Sequence, residues 1–193
     1  MRKVPRTRAA AEIVDAIVEA AEQVLETEGV AALTTNRVAE HAGVSVGTLY
    51  QYFPNKYALA GAIFDRQIAA YDALFAAAIA AGGTPYDIIL AIGDGLVAKF
   101  ERRPNIHRAL RALRTAAEVH ERIDAMLAKM QVGMTALLVR QNIPEQRARD
   151  IAFVLVHGAD GIANAIATSS DRDQGKRVAR LFAEMAMLFY TPR

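Results

Sequence analysis

The sequence predicts an all-α protein, with an N-terminal three-helix domain holding a helix-turn-helix over residues 1–55 and a larger helical domain over 56–193. Three observations carry this. Apolar residues recur at spacings of three and four along most of the chain. Gly, Pro and Asn fall between these stretches as punctuation. No segment alternates with the period of two that a half-buried strand needs.

The first helix is expected from about residue 8 to Glu28, stopping at Gly29. Ile13, Ile17, Ala20 and Val24 form its apolar stripe, which Val14, Val18, Ala21 and Leu25 widen. Glu12, Asp15, Glu19, Glu22 and Glu26 lie opposite, so that face is expected in water. Thr34 is a suitable N-cap for a short helix over about 35–42. Gly43 tolerates the positive φ that ends it. Ser45 caps a second short helix over about 46–53, and Pro54-Asn55 breaks it. Two such helices joined by a short turn containing glycine make the helix-turn-helix pattern. A long helix follows over about 56–81, ending at Gly82-Gly83. Further helices are expected near 85–102, 105–117, 119–141, 144–169 and 174–190.

Composition narrows the function classes. With 53% apolar residues the chain buries a core, which disfavours disorder. No cysteine is present, which excludes disulfides, a thiolate nucleophile and a Cys-based zinc site. The basic start lacks a following apolar run, so a secretory signal is not expected. The longest uncharged run is broken by Gly82, Gly83 and Pro85, so no membrane span is expected and the protein reads as cytoplasmic. Arg2, Lys3, Arg6 and Arg8 form a basic arm, which suits either phosphate contact or a solvated tail. A second basic run, Arg102, Arg103, Arg108, Arg111 and Arg114, reads as a solvated helix face. An enzyme is not expected. Of the three serines, Ser169 and Ser170 sit at a helix end with no histidine at helical spacing, and His41, His107, His120 and His157 show no metal-binding spacing. No phosphate loop appears, and no cofactor or metal is expected.

The second short helix carries the sharpest signal. Leu49 and Phe53 share a face, with Val46 beside them, and that face should pack inward. Gly47, Thr48 and Gln51 then point outward, flanked by Tyr50 and Tyr52. This surface lacks acid, allows close approach and offers hydrogen-bond donors, as a helix meeting DNA requires. Gln51 suits a bidentate pair with adenine, and Thr48 a thymine methyl or a phosphate. Tyr50 and Lys56 suit phosphates, and Thr35 and Asn36 sit at a helix start that attracts anions.

These residues also carry a family resemblance. Leu33 to Leu59, with Thr34-Thr35, Val38-Ala39, Ala42-Gly43-Val44-Ser45, Thr48-Leu49-Tyr50, Tyr52-Phe53 and Lys56, resembles the DNA-binding domain of TetR-family bacterial transcriptional regulators. The resemblance covers about residues 8–60 and sets many residue types at fixed spacings. It implies a recognition helix from Ser45 to Phe53, with base contacts from Val46, Gly47, Thr48 and Gln51. It implies phosphate contacts from Thr35, Asn36, Tyr50, Tyr52 and Lys56. It further implies a homodimer on a near-palindromic operator, most simply a repressor released by a small-molecule effector. An activator, or a nucleoid or cell-division adaptor binding many sites, is the alternative on the same fold.

The remaining helices are then expected to bind ligand and to dimerise. Ile151 to Ala167 is apolar almost all round, so it must be covered on nearly every side. Gly158, Gly161 and Ala165 form a small-residue ridge, and Val178, Leu181, Phe182, Met185 and Phe189 share a face of the last helix. Two such helices per chain suit a four-helix dimer interface. Met126, Met130 and Met134 lie four apart and suit a pocket wall as well as a core. Phe100, His107, Phe153, His157, Asp160 and Asn164 are candidates for the rest of a ligand-binding lining.

Overall fold

The computed structural model describes residues 4–166, 169, 171 and 173–188. Among the described residues the elements are α1 (Arg8–Thr27), a 3-10 turn (Val30–Ala32), α2 (Thr35–Ala42), α3 (Val46–Tyr52), α4 (Lys56–Ala81), α5 (Pro85–Arg102), α6 (Pro104–Ala112), α7 (Ala117–Arg140), α8 (Glu145–Ile166) and α9 (Gln174–Met187), with no strand.

Local chemistry sets the helix ends. The Thr7 hydroxyl accepts from the Ala10 N–H at 3.2 Å and starts α1. Thr34 and Ser45 do the same for α2 and α3, each accepting from the N–H three residues on. Such caps satisfy amides that a helix cannot pair internally. Gly43 closes α2 at φ 65° and ψ 27°, a left-handed conformation that costs a glycine nothing. At the head of α5 the Thr84 hydroxyl accepts from the Asp87 N–H while the Asp87 carboxylate accepts from Thr84, a reciprocal capping box.

The chain forms two compact units. The first comprises residues 1–69 and 103–122. Here α1 packs on α2 and on α6. Its core is Ile17, Val24, Leu25, Leu33, Val38, Leu49, Phe53, Leu59, Ile63 and Ile106, all essentially inaccessible to water. Burying each such side chain stabilises by roughly 1.5–3 kcal/mol, before the entropy of ordering is subtracted. The second unit comprises 70–102 and 123–193, with α9 packed on α5 and α8. Leu138, Ala148, Ile151, Ala152, Leu155 and Ala186 form a core cluster in it, with Ile89, Met134, Ile143 and Phe182 packed against them. The helix-turn-helix pattern draws a division at residue 55, whereas packing draws the first unit more widely and includes α6 in it.

The acidic face of α1 departs from the expectation that it faces water. Glu22 is 3% exposed. One of its carboxylate oxygens accepts from Gln67 at 3.0 Å and the other from Arg103 at 2.9 Å. Arg66 lies 3.6 Å from the same carboxylate and 3.0 Å from that of Glu19. Glu26 accepts the Ile106 N–H at 3.0 Å through its side chain, and its backbone carbonyl accepts from Asn105 at 2.8 Å. The carboxylates therefore anchor α4 and the start of α6. For the same reason Arg103 does not belong to a merely solvated face: a buried carboxylate requires a cation and hydrogen bonds, and Arg103 supplies both.

Candidate nucleic-acid interface

The surface is built on α2 and α3, and its geometry begins with what holds α2. Arg37 donates to both carboxylate oxygens of Glu28, at 2.9 and 3.2 Å from Nε, and to Glu40 at 2.8 Å. His41 Nε2 lies 3.0 Å from Glu28. Hydrogen bonding from Arg37 holds the Glu28 carboxyl below its ordinary value of 4.5, and Glu28 in turn pushes the Arg37 guanidinium up. This cluster ties α2 to the end of α1 and neutralises the acids nearest the surface.

α3 shows two unlike faces. Leu49, Tyr52 and Phe53 are buried. Gly47 and Gln51 are exposed, Thr48 is half-buried, and Tyr50 is 43% exposed. The helix carries no charged residue. Thr35 and Tyr50 hydrogen-bond through their hydroxyls at 3.0 Å, so the start of α2 and the outer face of α3 form one polar surface. Asn36 and Lys56 are exposed beside it in sequence. A Cβ at Gly47 would meet only the Ser45 hydroxyl, 3.8 Å away. The fold itself therefore does not demand glycine there, and the bare backbone is available for close approach.

Two sequence readings of α3 need correction. Val46 does not pack inward; it is 39% exposed. Tyr52 is 5% exposed and its ring belongs to the core, so it is not placed on the outer face as a phosphate contact. At the C-terminal end of so short a helix, the turn to Phe53 carries both aromatics inward.

The second unit holds an apolar cavity of about 80 Å³. It is lined from α5 by Ile89, Ile92, Gly93, Leu96, Val97 and Phe100, and from α8 by residues between Leu155 and Ile166. Phe75, Met130, Met134, Ala179 and Phe182 complete it. Of the expected lining residues it includes Phe100, Met130 and Met134. The others lie elsewhere. His107 is buried in the first unit. Met126, one turn before Met130, does not reach the cavity. The rings of Phe153 and His157 meet with centroids 4.4 Å apart, tilted by 42°, on an exposed face of α8. Asn164 donates to Asp160 at 3.2 Å, pairing within α8 rather than lining the cavity. Apart from Phe100, sequence reasoning missed the α5 wall, although Ile89, Ile92 and Leu96 precede Phe100 at helical spacing.

The same helices sort the expected dimer residues. Leu181 and Met185 on α9 are 55% and 53% exposed, and on α8 Phe153 is 53% and Val154 51% exposed. Gly161 and Ala165 are exposed and Val178 is half-buried. Gly158 and Phe182 instead face each other inside the chain: a Cβ at Gly158 would lie 3.3 Å from the Phe182 ring. They serve the α8–α9 packing, not an outer face. Phe189 lies outside the described residues. Among the described residues no helix is long and apolar enough to cross a membrane.

An all-helical chain whose first unit projects the polar face of a capped helix-turn-helix defines a class, the helix-turn-helix proteins. The particular family follows from comparison. Residues 17–63 match the profile of the "Bacterial regulatory proteins, tetR family". The chain is similar to the HTH-type transcriptional repressor KstR of Mycolicibacterium smegmatis, 35% identical over 94 residues, 49% of this chain and 46% of that protein. It is 29% identical over 122 residues to the KstR of Mycobacterium tuberculosis, covering 58% and 56% of the two chains. These matches thus span about half the length of the curated relatives. A transcriptional regulator from Rhodococcus sp. Rha1 shares the fold, with TM-score 0.74, 22% identity, and 90% and 95% of the two chains covered. So does the fatty acid degradation regulator FadR of Bacillus halodurans, with TM-score 0.73, 16% identity and 97% of each chain. Residues 17–63 are therefore similar to the DNA-binding part of the TetR family, and the rest of the chain shares the fold of these solved regulators.

Proposed function

We propose that the chain is a homodimeric, sequence-specific transcription regulator that represses from a near-palindromic operator and is released by a small-molecule effector. One observation carries the reading. α3 turns Leu49 and Phe53 into the core and leaves Val46, Gly47, Thr48, Tyr50 and Gln51 on an uncharged outer face. Val46, Gly47, Thr48 and Gln51 meet base edges in the major groove, while Thr35, Asn36, Tyr50 and Lys56 hold phosphates. The family match over residues 17–63 and the repressor names of the KstR relatives support it. The exposed Phe153, Val154, Leu181 and Met185 support a two-fold interface. Two recognition helices then meet major grooves about 34–36 Å apart, or a multiple of this. An effector that favours a dimer of different spacing releases DNA, and tenfold release requires about 1.4 kcal/mol of coupling.

Selection from a random duplex pool tests the reading. A two-fold symmetric site should be enriched, with protection of both half-sites by one dimer. Failure to enrich any sequence would overturn it.

A further inference from the structure

The basic run along α6 divides in two. Its start is committed to the protein, since Arg103 donates to Glu22, and Asn105 and the Ile106 N–H donate to Glu26. Its end is directed elsewhere. From Pro104 to Ala117 the sequence holds Arg108, Arg111 and Arg114 and no acid. Ile106, Ala109, Leu110 and Leu113 are buried, which turns Arg108 and Arg111 outward. Both are exposed, and Arg114 is half-buried in the turn that follows.

That turn shares a surface with the start of α4. Tyr57 lines one depression together with Ala112, Leu113, Thr115, Ala116 and Ala117. The Lys56 ammonium lies 5.5 Å from the centre of the Tyr57 ring. Lys56, Tyr57 and Thr115 are exposed. An ammonium, a phenol and an aliphatic hydroxyl are thus gathered beside the segment that carries Arg111 and Arg114, and no acid lines the depression. Cations and hydroxyls of this kind hold the DNA backbone and carry no sequence information. Clustering of arginine on one face, without interspersed acids, is the electrostatic footprint of a nucleic-acid partner.

We propose that the turn from α6 to α7 is a second contact with the DNA backbone, outside the helix-turn-helix. Arg111 and Arg114, with the Tyr57 and Thr115 hydroxyls, take phosphates beyond those held by α2, α3 and Lys56. The proposal rests on the reading of α3 as the recognition helix and extends its footprint. Because these groups meet phosphates and not base edges, they add affinity and salt dependence and leave base preference to α3.

The test uses the full chain and the duplex enriched from the random pool, titrated at several salt concentrations. The slope of log affinity against log salt should fall by about 0.9 for Arg111→Gln and by about 1.8 when Arg114→Gln is added. Preference among single-base variants of the duplex should stay as in the parent. Hydroxyl-radical footprinting should show lost protection at backbone positions distinct from those lost with Lys56→Ala. Arg111→Lys with Arg114→Lys should restore the slope, and Arg147→Gln, at an exposed arginine of the second unit, should leave it unchanged. Arg111 also stands in the last turn of α6, where a cation offsets the helix dipole. A purely structural role of that kind would lower the melting temperature of Arg111→Gln and leave its salt slope at the parent's value. That result would overturn the proposal, as would a change in base preference. A parent that binds a two-fold symmetric site while the glutamine variants keep its slope and footprint removes this contact alone. A parent that enriches no duplex removes the regulator reading and the contact with it.

Discussion

Arg103 donates to the Glu22 carboxylate at 2.9 Å, joining residues 81 positions apart in the chain. Glu22 is nearly inaccessible, and Arg66 and Gln67 complete its surroundings. Removing one partner of a buried pair costs far more than the pair contributes, because the remaining charge is stranded. Arg103→Ala alone should be moderate, since Arg66 remains within reach. Arg66→Ala with Arg103→Ala should destabilise by about 3–5 kcal/mol, more than the sum of the single changes. Adding Glu22→Gln should recover much of the loss. Urea denaturation of the four variants checks this, and simple additivity would deny the shared site.

Gly47 separates stability from function. Its substitution by Ala replaces a glycine in the first turn of α3 without a steric conflict inside the protein. Gly47→Ala should therefore leave the fold as stable or stabilise it by about 0.5–1 kcal/mol. It should nevertheless weaken operator binding, since the added methyl stands between α3 and the groove floor. Unchanged DNA affinity would remove Gly47 from the interface.

Gln51 and Lys56 should fail differently. Gln51→Ala should cost about 1–3 kcal/mol at one base pair and relax preference there. Lys56→Ala should weaken all duplexes alike and reduce the slope of log affinity against log salt by about one. Binding of several single-base operator variants at three salt concentrations distinguishes the two patterns.

Glu28 carries a pH signature. Arg37 hydrogen bonds hold its folded-state value below the ordinary 4.5. A carboxylate lowered on folding adds stability above its unfolded value, and that contribution is lost as pH falls through the folded value. The parent should therefore lose stability below pH 4.5 more steeply than Glu28→Gln, whose neutral amide does not titrate. Thermal unfolding followed through this range measures the difference.

The outer face of α8 and α9 should control association. Leu181→Glu with Met185→Glu places two charges among residues that are half exposed in the single chain. The variant should be monomeric by light scattering at micromolar concentration, with near-native helicity and much weaker operator binding. A persisting dimer would assign the interface elsewhere.

Local chemistry was legible without coordinates wherever one residue decides one backbone event. Thr34, Gly43 and Ser45 mark the ends of α2 and α3 because capping and left-handed φ depend on immediate neighbours. The 3.6-residue period likewise separates Leu49 from Gln51 with no knowledge of the remainder of the chain. Tertiary structure decided what depends on segments distant in sequence. The acids of α1 read as a wet surface until α4 and α6 brought Arg66, Gln67 and Arg103 onto Glu22. Tyr52 turned inward, and Gly158 and Phe182 met each other rather than facing out. His107 and Phe100, seven residues apart, entered separate units, because burial responds to all the surfaces around a side chain, and periodicity reports only its own helix.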